Sequence, residues 1–121
     1  MSARARLGRE GEALVRRALE RRGAAVLDQN WHCPYGELDL VAATATHIRF
    51  VEVKSRSSED FAAAREAVGP AKRKRLLRAA ACWLQAHPEE RRLCAFDVAE
   101  VLFSGEKHRI RYFADAFGED D

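Results

Sequence analysis

The sequence contains no apolar run approaching the roughly 20 residues that cross a bilayer, so no membrane partner is expected. Its charged start, interrupted by Gly8 and Gly11, does not read as a signal peptide. Cysteine is scarce. The three residues Cys33, Cys82 and Cys94 lie far apart and are odd in number, which argues against a disulfide framework. No CxxC or Cys/His spacing suits zinc, and reduced thiols in a cytoplasmic protein are the simplest account. With three prolines and seven glycines, there is no linker, repeat or low-complexity segment, and a single domain over residues 1–121 is expected. Neither sign of charge dominates: 21 basic residues face 19 acidic ones, and the pI is near 8.6. The balance says little about a polyanionic partner, but the distribution says more. Basic residues crowd Arg4–Arg22 and Lys72–Arg78, while Gly118–Asp121 is acidic.

What is present is enough for a core. An apolar fraction of 47% beside 33% charged residues belongs to a globular chain, long enough to bury that core without staples. Gly11, Leu14, Val15, Ala18 and Leu19 recur at helical spacing, predicting an amphipathic helix over Leu7–Arg22 that stops at Gly23. Ala25–Trp31 reads as a short strand, and a turn follows through Pro34 and Gly36. Glu37–Ala43 and His47–Lys54 are stronger strands. Ser55–Glu66 is polar and expected to be irregular, with a helical turn around Phe61–Arg65. A second helix opens at Gly69-Pro70, proline being favoured at the first helical position, and carries Leu76, Leu77, Ala80, Ala81 and Leu84 on its apolar face. Leu93–Leu102 and His108–Phe113 close the chain as strands around Ser104-Gly105. The order α-β-β-β-α-β-β predicts an α/β fold, a mixed sheet with helices packed on it.

The central hairpin concentrates the chemistry. Pairing Ala43 with Ile48 sets Asp39 opposite Glu52 and Glu37 opposite Lys54. Side chains alternate across a strand, so one face carries Glu37, Asp39, Val41 and Ala43 beside Lys54, Glu52, Phe50 and Ile48. The other carries Leu38, Leu40 and Ala42 beside Val53, Val51 and Arg49. Opposed carboxylates repel. A divalent cation between Asp39 and Glu52 removes the conflict, and hard oxygen ligands suit Mg²⁺ or Mn²⁺. Lys54 shares that face roughly 6.5 Å further on, within reach of a phosphate at the same place. Ordinary surface ion pairs at a solvated strand end account for the same residues. The apolar residues bracketing each acid favour a site.

At these residues the chain resembles a known family. Gly36-Glu37-Leu38-Asp39-Leu40-Val41 followed by Phe50-Val51-Glu52-Val53-Lys54-Ser55-Arg56 looks like the core of the PD-(D/E)xK nuclease superfamily. Within it the sequence resembles the small bacterial YraN-like family, relatives of restriction endonucleases and archaeal Holliday-junction resolvases. Gly8-Arg9-Glu10-Gly11-Glu12, Asn30-Trp31, Lys72, Phe96-Asp97-Val98 and Ala116-Phe117 extend the match over nearly the whole chain. The resemblance implies a restriction endonuclease-like αβββαβ core. It also implies a metal-dependent endonuclease in which Asp39, Glu52 and Lys54 are catalytic, and Asp39 and Glu52 bind Mg²⁺ or Mn²⁺ together with Glu12. His32, Ala95 and Arg73 stand where the family usually has arginine, arginine and glutamine.

Glu12 has a second reading, as an acid near a helix N-terminus. Lys72, Arg73, Lys74 and Arg75 oppose the dipole of the second helix, which is sensible where phosphates dock. Lys72 is the member nearest the site by resemblance, and Lys74 and Arg75 serve as nonspecific phosphate contacts. Arg56 shares the face of Lys54 by alternation and reaches a flanking phosphate. The alternative is a solvated basic face. Asp97 reads as structural, and Trp31 and Trp83 as core residues rather than base-stacking ones. The partner is then nucleic acid, DNA ahead of RNA, with a homodimer favoured if both strands of a duplex are cut. The rival reading is a non-catalytic nucleic-acid-binding module or a scaffold in a DNA-processing assembly.

Overall fold

The structure is a computed structural model, and it describes residues 2–57 and 68–118. The first helix, α1 (Ala3–Arg21), starts four residues earlier than the apolar spacing predicts. Ser2 caps it, its Oγ accepting the Ala5 N–H at 3.1 Å, and the good helix formers between Ala3 and Arg6 need no apolar stripe. Gly23 ends it at φ +93°. The Gly23 N–H donates to Glu20 O and the Ala24 N–H to Leu19 O, the paired bonds of a left-handed helix stop.

Four further elements take the expected order, the strands with longer spans: β1 (Ala25–Cys33), β2 (Gly36–Ala43), β3 (His47–Ser57) and α2 (Pro70–Gln85). They are followed by β4 (Leu93–Ser104) and β5 (Lys107–Phe117). Ser55–Ser57 complete β3 rather than beginning a loop. The expected helical turn around Phe61–Arg65 lies outside the described residues. The sheet order is β1-β2-β3-β4-β5, with β3 and β4 parallel and the other neighbours antiparallel. A parallel pair needs a crossover, and α2 lies in the connection between β3 and β4.

Among the described residues, each face of the sheet carries one helix. On one side Val15 of α1 packs with Leu40, Val51, Ala99 and Val101. On the other, Leu76, Ala79, Ala80 and Trp83 of α2 cover Val41, Ile48, Phe50, Phe96 and Val98. Burial of these side chains is the main term holding both helices on the sheet. Trp83 is a core residue, donating from Nε1 to Asp28 Oδ2 at 2.7 Å, and Trp31 packs at the margin of the same cluster. Gly11 is buried where α1 crosses β3, and a Cβ there would meet Ser55 Oγ at 1.9 Å. Close approach therefore requires glycine at this position. Gly8, one turn earlier, has open space where a Cβ would stand.

The hairpin register is as derived from Ala43↔Ile48 to Leu40↔Val51, and there the β2–β3 ladder ends. The expected pairings of Asp39 with Glu52 and of Glu37 with Lys54 are not part of it. Instead the Val53 N–H donates to Asp39 Oδ2 at 2.9 Å, a carboxylate standing in for a strand carbonyl. The alternation of β2 also breaks at this point. Leu38, expected beside Leu40, joins the α2-side cluster. Glu37 lies across from His32 on β1.

Asp97 is structural in the sense expected. Fully buried, it accepts from Arg49 Nη1 at 3.0 and 3.1 Å, from the Tyr112 hydroxyl at 2.5 Å and from the Asp115 N–H at 2.9 Å. No helix among the described residues is long and apolar enough to cross a membrane.

Candidate functional site

The site lies where β2 and β3 part. A cleft of about 230 Å³ opens there between the fork and the first turns of α2, lined by Gly36, Glu37, Asp39, Glu52, Lys72, Arg75 and Leu76. Asp39 comes from β2, Glu52 and Lys54 from β3, and the cations from α2. The two strands place their acids side by side because the ladder holds β2 against β3 up to the residues just before them.

The electrostatics are those of a crowded carboxylate site. Burial, followed by the charge of Glu52, pushes the Asp39 carboxyl up to about 8, against the lowering effect of the Val53 N–H; Glu12 and Glu37 add to the repulsion. Glu12, on α1, is also raised. Its burial is the largest cause, opposed by the amides of Asn30 and Gln29, and Glu37 and Glu52 push further upward. Because α1 begins at Ala3 and has no acid in its first turn, interaction with the helix dipole no longer explains Glu12. Four acids from three elements thus act on one another here, although Asp39 and Glu52 are not ladder partners.

Glu52 is buried, with cations on it. Lys72 Nζ lies 2.9 Å and Lys54 Nζ 3.8 Å from its Oε1. Burial, then contact with Lys72, lowers the Lys54 pKa. Burial opposes the Lys72 charge as well, yet its contact with Lys54 and the Glu52 carboxylate carry its pKa above the ordinary lysine value. Lys72 is therefore part of the site itself.

The other sequence-derived residues divide. Arg75 lines the cleft, and Lys74 is exposed on α2 beside it. Arg56 turns instead toward Glu100, with Nε 3.7 Å from Oε2 and its side chain only 17% exposed. Arg73 is held by the Val68 carbonyl at 2.8 Å and lies over the Phe117 ring. Sequence reasoning missed one residue, Asn30. It sits at φ +51° within β1, in the left-handed region that asparagine enters more readily than most residues, and its amide supports the Glu12 charge. The Asn30-Trp31 pair is the signal in the sequence that marks it.

The donor set suits a hard divalent cation. Its groups are carboxylate oxygens, and burial together with the charges of Glu52, Glu12 and Glu37 raises the Asp39 carboxyl. No three His, Cys, Asp or Glu side chains among the described residues form a ready ligand cluster. Asp39 and Glu52 would thus supply a small part of a shell completed by water, as Mg²⁺ prefers.

The raised Asp39 value has a consequence for stability. Its folded pKa of about 8 lies above the ordinary 3.8, so the fold binds this proton more tightly than the unfolded chain. The associated stability is fully present below about pH 4 and is lost as pH rises toward 8. In chelator, urea denaturation should show this loss, and Asp39→Asn should flatten it. At pH 8 the variant should be the more stable protein, by on the order of a few kcal/mol. Equal pH slopes for the two proteins would refute the assignment.

Fold and site together define an α/β domain with a five-stranded mixed sheet and a cleft of acids and basic side chains at a strand fork. The chain belongs to the family described as "Uncharacterised protein family UPF0102", which it matches over residues 11–101. It is 45% identical over 108 residues to a UPF0102 protein of Synechococcus sp., a match covering 88% of this chain and 82% of the relative. A UPF0102 protein of Frankia alni is 46% identical over 101 residues, 84% of each chain. One of Pelotomaculum thermopropionicum is 38% identical over 117 residues, 95% of this chain and 98% of the relative. The YraN-like resemblance is thereby borne out at the level of the family.

Proposed function

We propose that this protein binds nucleic acid and hydrolyses phosphodiester bonds with Mg²⁺ or Mn²⁺, on a restriction endonuclease-like αβββαβ core of the PD-(D/E)xK superfamily. The observation that carries this reading is the fork itself. Asp39 replaces a ladder carbonyl at Val53, with Glu52 and Lys54 on either side of that residue. A solvated strand end would not bury Glu52 to 7% exposure or hold Asp39 near pH 8.

Asp39 and Glu52 would hold the cation. When bound, it supplies Lewis-acid polarisation of the phosphate and a lowered pKa for an attacking water. Lys54 stands beside Glu52 to meet negative charge growing on the phosphate. Lys72 offsets the Glu52 charge from the α2 side, and Arg75 offers the cleft a cation that can hold a neighbouring phosphate in place. Glu12, backed by Asn30, would add a further carboxylate charge to the site. A panel of duplex, branched and single-stranded DNA and of RNA, each with Mg²⁺ or Mn²⁺, tests the activity. Wild type should cut at least one substrate and Asp39→Ala none. Binding without cleavage by wild type across the panel would favour the non-catalytic binding module.

The start of α2 should contact phosphates without regard to base sequence. Replacing Lys74 and Arg75 by alanine is expected to weaken binding similarly for unrelated sequences. The slope of log affinity against log salt should become shallower, by at most about 0.9 per lost duplex phosphate contact. Fluorescence anisotropy over a salt series measures this, and an unchanged slope would return both residues to a solvated helix face.

A further inference from the structure

The basic surface does not end at α2. On the α2 side of the sheet, the residues beyond Glu52 form rows that cross three strands. Lys54 of β3 is level with Glu100 of β4 and Arg111 of β5, and Arg56 is level with Leu102 and Arg109. Lys107 lies two residues further along β5, opposite Ser104. The face is fixed by the flanking residues. Phe113 packs into the α2-side cluster and Ile110 into the α1-side cluster, so Lys107, Arg109 and Arg111 all face the α2 side. These rows carry five cations, Lys54, Arg56, Lys107, Arg109 and Arg111, around the carboxylate of Glu100.

Two of the five are committed to Glu100, which is 1% exposed. Arg111 reaches its Oε1 at 2.6 Å, and Arg56 approaches its Oε2 at 3.7 Å. Lys107 and Arg109 are exposed and make no ion pair with the described residues. Alternate residues on a strand are roughly 6.6 Å apart and neighbouring strands about 4.8 Å. Arg111, 45% exposed, thus stands between Lys54 beside Glu52 and the two exposed cations near the tip of the β4–β5 hairpin.

We propose that this stripe is a second phosphate-binding track, along which the backbone of a nucleic acid leaves the cleft toward β5, with Lys107 and Arg109 as its contacts. The inference rests on the nucleic-acid reading above and gives the bound chain a direction. It would be held on both sides of the cleft, by Lys72, Lys74 and Arg75 of α2 and by β5. Charge complementarity is the argument. Two exposed cations at strand spacing, on the same face as Lys54 and Arg111, offer a polyanion successive contacts without reading its sequence. Cations on β5 also discourage edge-to-edge pairing of sheets, and the experiment separates that role from binding.

The test uses the full chain with Lys107 and Arg109 both replaced by alanine, leaving Arg56 and Arg111 intact because Glu100 depends on them. Binding to labelled duplex and single-stranded DNA and to RNA is followed by anisotropy over a salt series, beside wild type and the Lys74/Arg75 double alanine variant. The expected result is weaker binding across sequences and a slope shallower by up to about 1.8 on duplex DNA, from two contacts at about 0.9 each. Wild-type affinity and slope in this variant, while the α2 variant is impaired, would overturn the track and leave the two residues as guards of the edge. If wild type binds no nucleic acid at any salt, the functional reading fails and the track falls with it. Both positions are exposed, so circular dichroism matching wild type is expected.

Discussion

Lys54→Met should lower the rate of phosphodiester cleavage by roughly two to three orders of magnitude while substrate and Mg²⁺ binding stay within several-fold of wild type. Lys54 is a cation 3.8 Å from Glu52, so it cannot be a metal ligand as well. What it can do is meet charge that grows on the phosphate in the transition state. Such preorganised contacts are worth about 3–4 kcal/mol in a site from which water is partly excluded. Methionine keeps much of the apolar stem and removes the ammonium. Lys72 remains near Glu52 in the variant, so loss of Lys54 does not strip that carboxylate of its counter-charge. Single-turnover cleavage of a substrate that wild type cuts separates chemistry from binding. Wild-type rates in the variant would reduce Lys54 to a structural partner of Glu52 and end the proposed mechanism.

Mn²⁺ titration by calorimetry should show a site in wild type that Asp39→Asn or Glu52→Gln nearly abolishes. Removing even an outer partner of a metal ligand typically costs about 10- to 100-fold in affinity, so loss of a ligand should reach or exceed the upper figure. The raised Asp39 pKa adds a signature. Near neutral pH much of this carboxyl is protonated, and a ligand must be deprotonated, so metal binding should release protons. Repeating the titration in buffers of different ionisation enthalpy measures that release. Affinity should rise with pH up to about 8, the value of the Asp39 carboxyl, and then level off. Both variants binding Mn²⁺ as wild type does would remove the metal site from these residues. Binding that is lost in Asp39→Asn alone would leave Glu52 as the buried partner of Lys72.

The sequence by itself determined the elements and the hairpin register near its turn. Apolar spacing predicted both helices, β-branched and aromatic runs predicted the strands, and Pro70 and Gly23 marked boundaries that the structure keeps. These signals are local, since the pattern that makes a segment amphipathic is complete within it. The pairing Ala43↔Ile48 was legible for the same reason, because a short turn leaves few alternatives. Simple alternation then failed at Asp39. Where the β2–β3 ladder ends depends on what each strand packs against. Leu38 turns to the α2 cluster and the Asp39 carboxylate takes the Val53 N–H, and neither is encoded in a spacing. The destinations of long charged side chains were equally invisible. The sequence offers Arg56 as a phosphate contact, yet it lies against Glu100. Resemblance places Lys72 near the site, and only the docking of α2 against the sheet brings it to 2.9 Å from Glu52. Asn30 needed the path of β1 past α1 before its left-handed backbone acquired a purpose. A flexible side chain settles on whichever opposite charge the packed elements bring within reach, and burial then fixes the choice, because an unpaired charge in a low-dielectric interior is costly. The tertiary structure alone decided those pairings, and with them the arrangement of the candidate site.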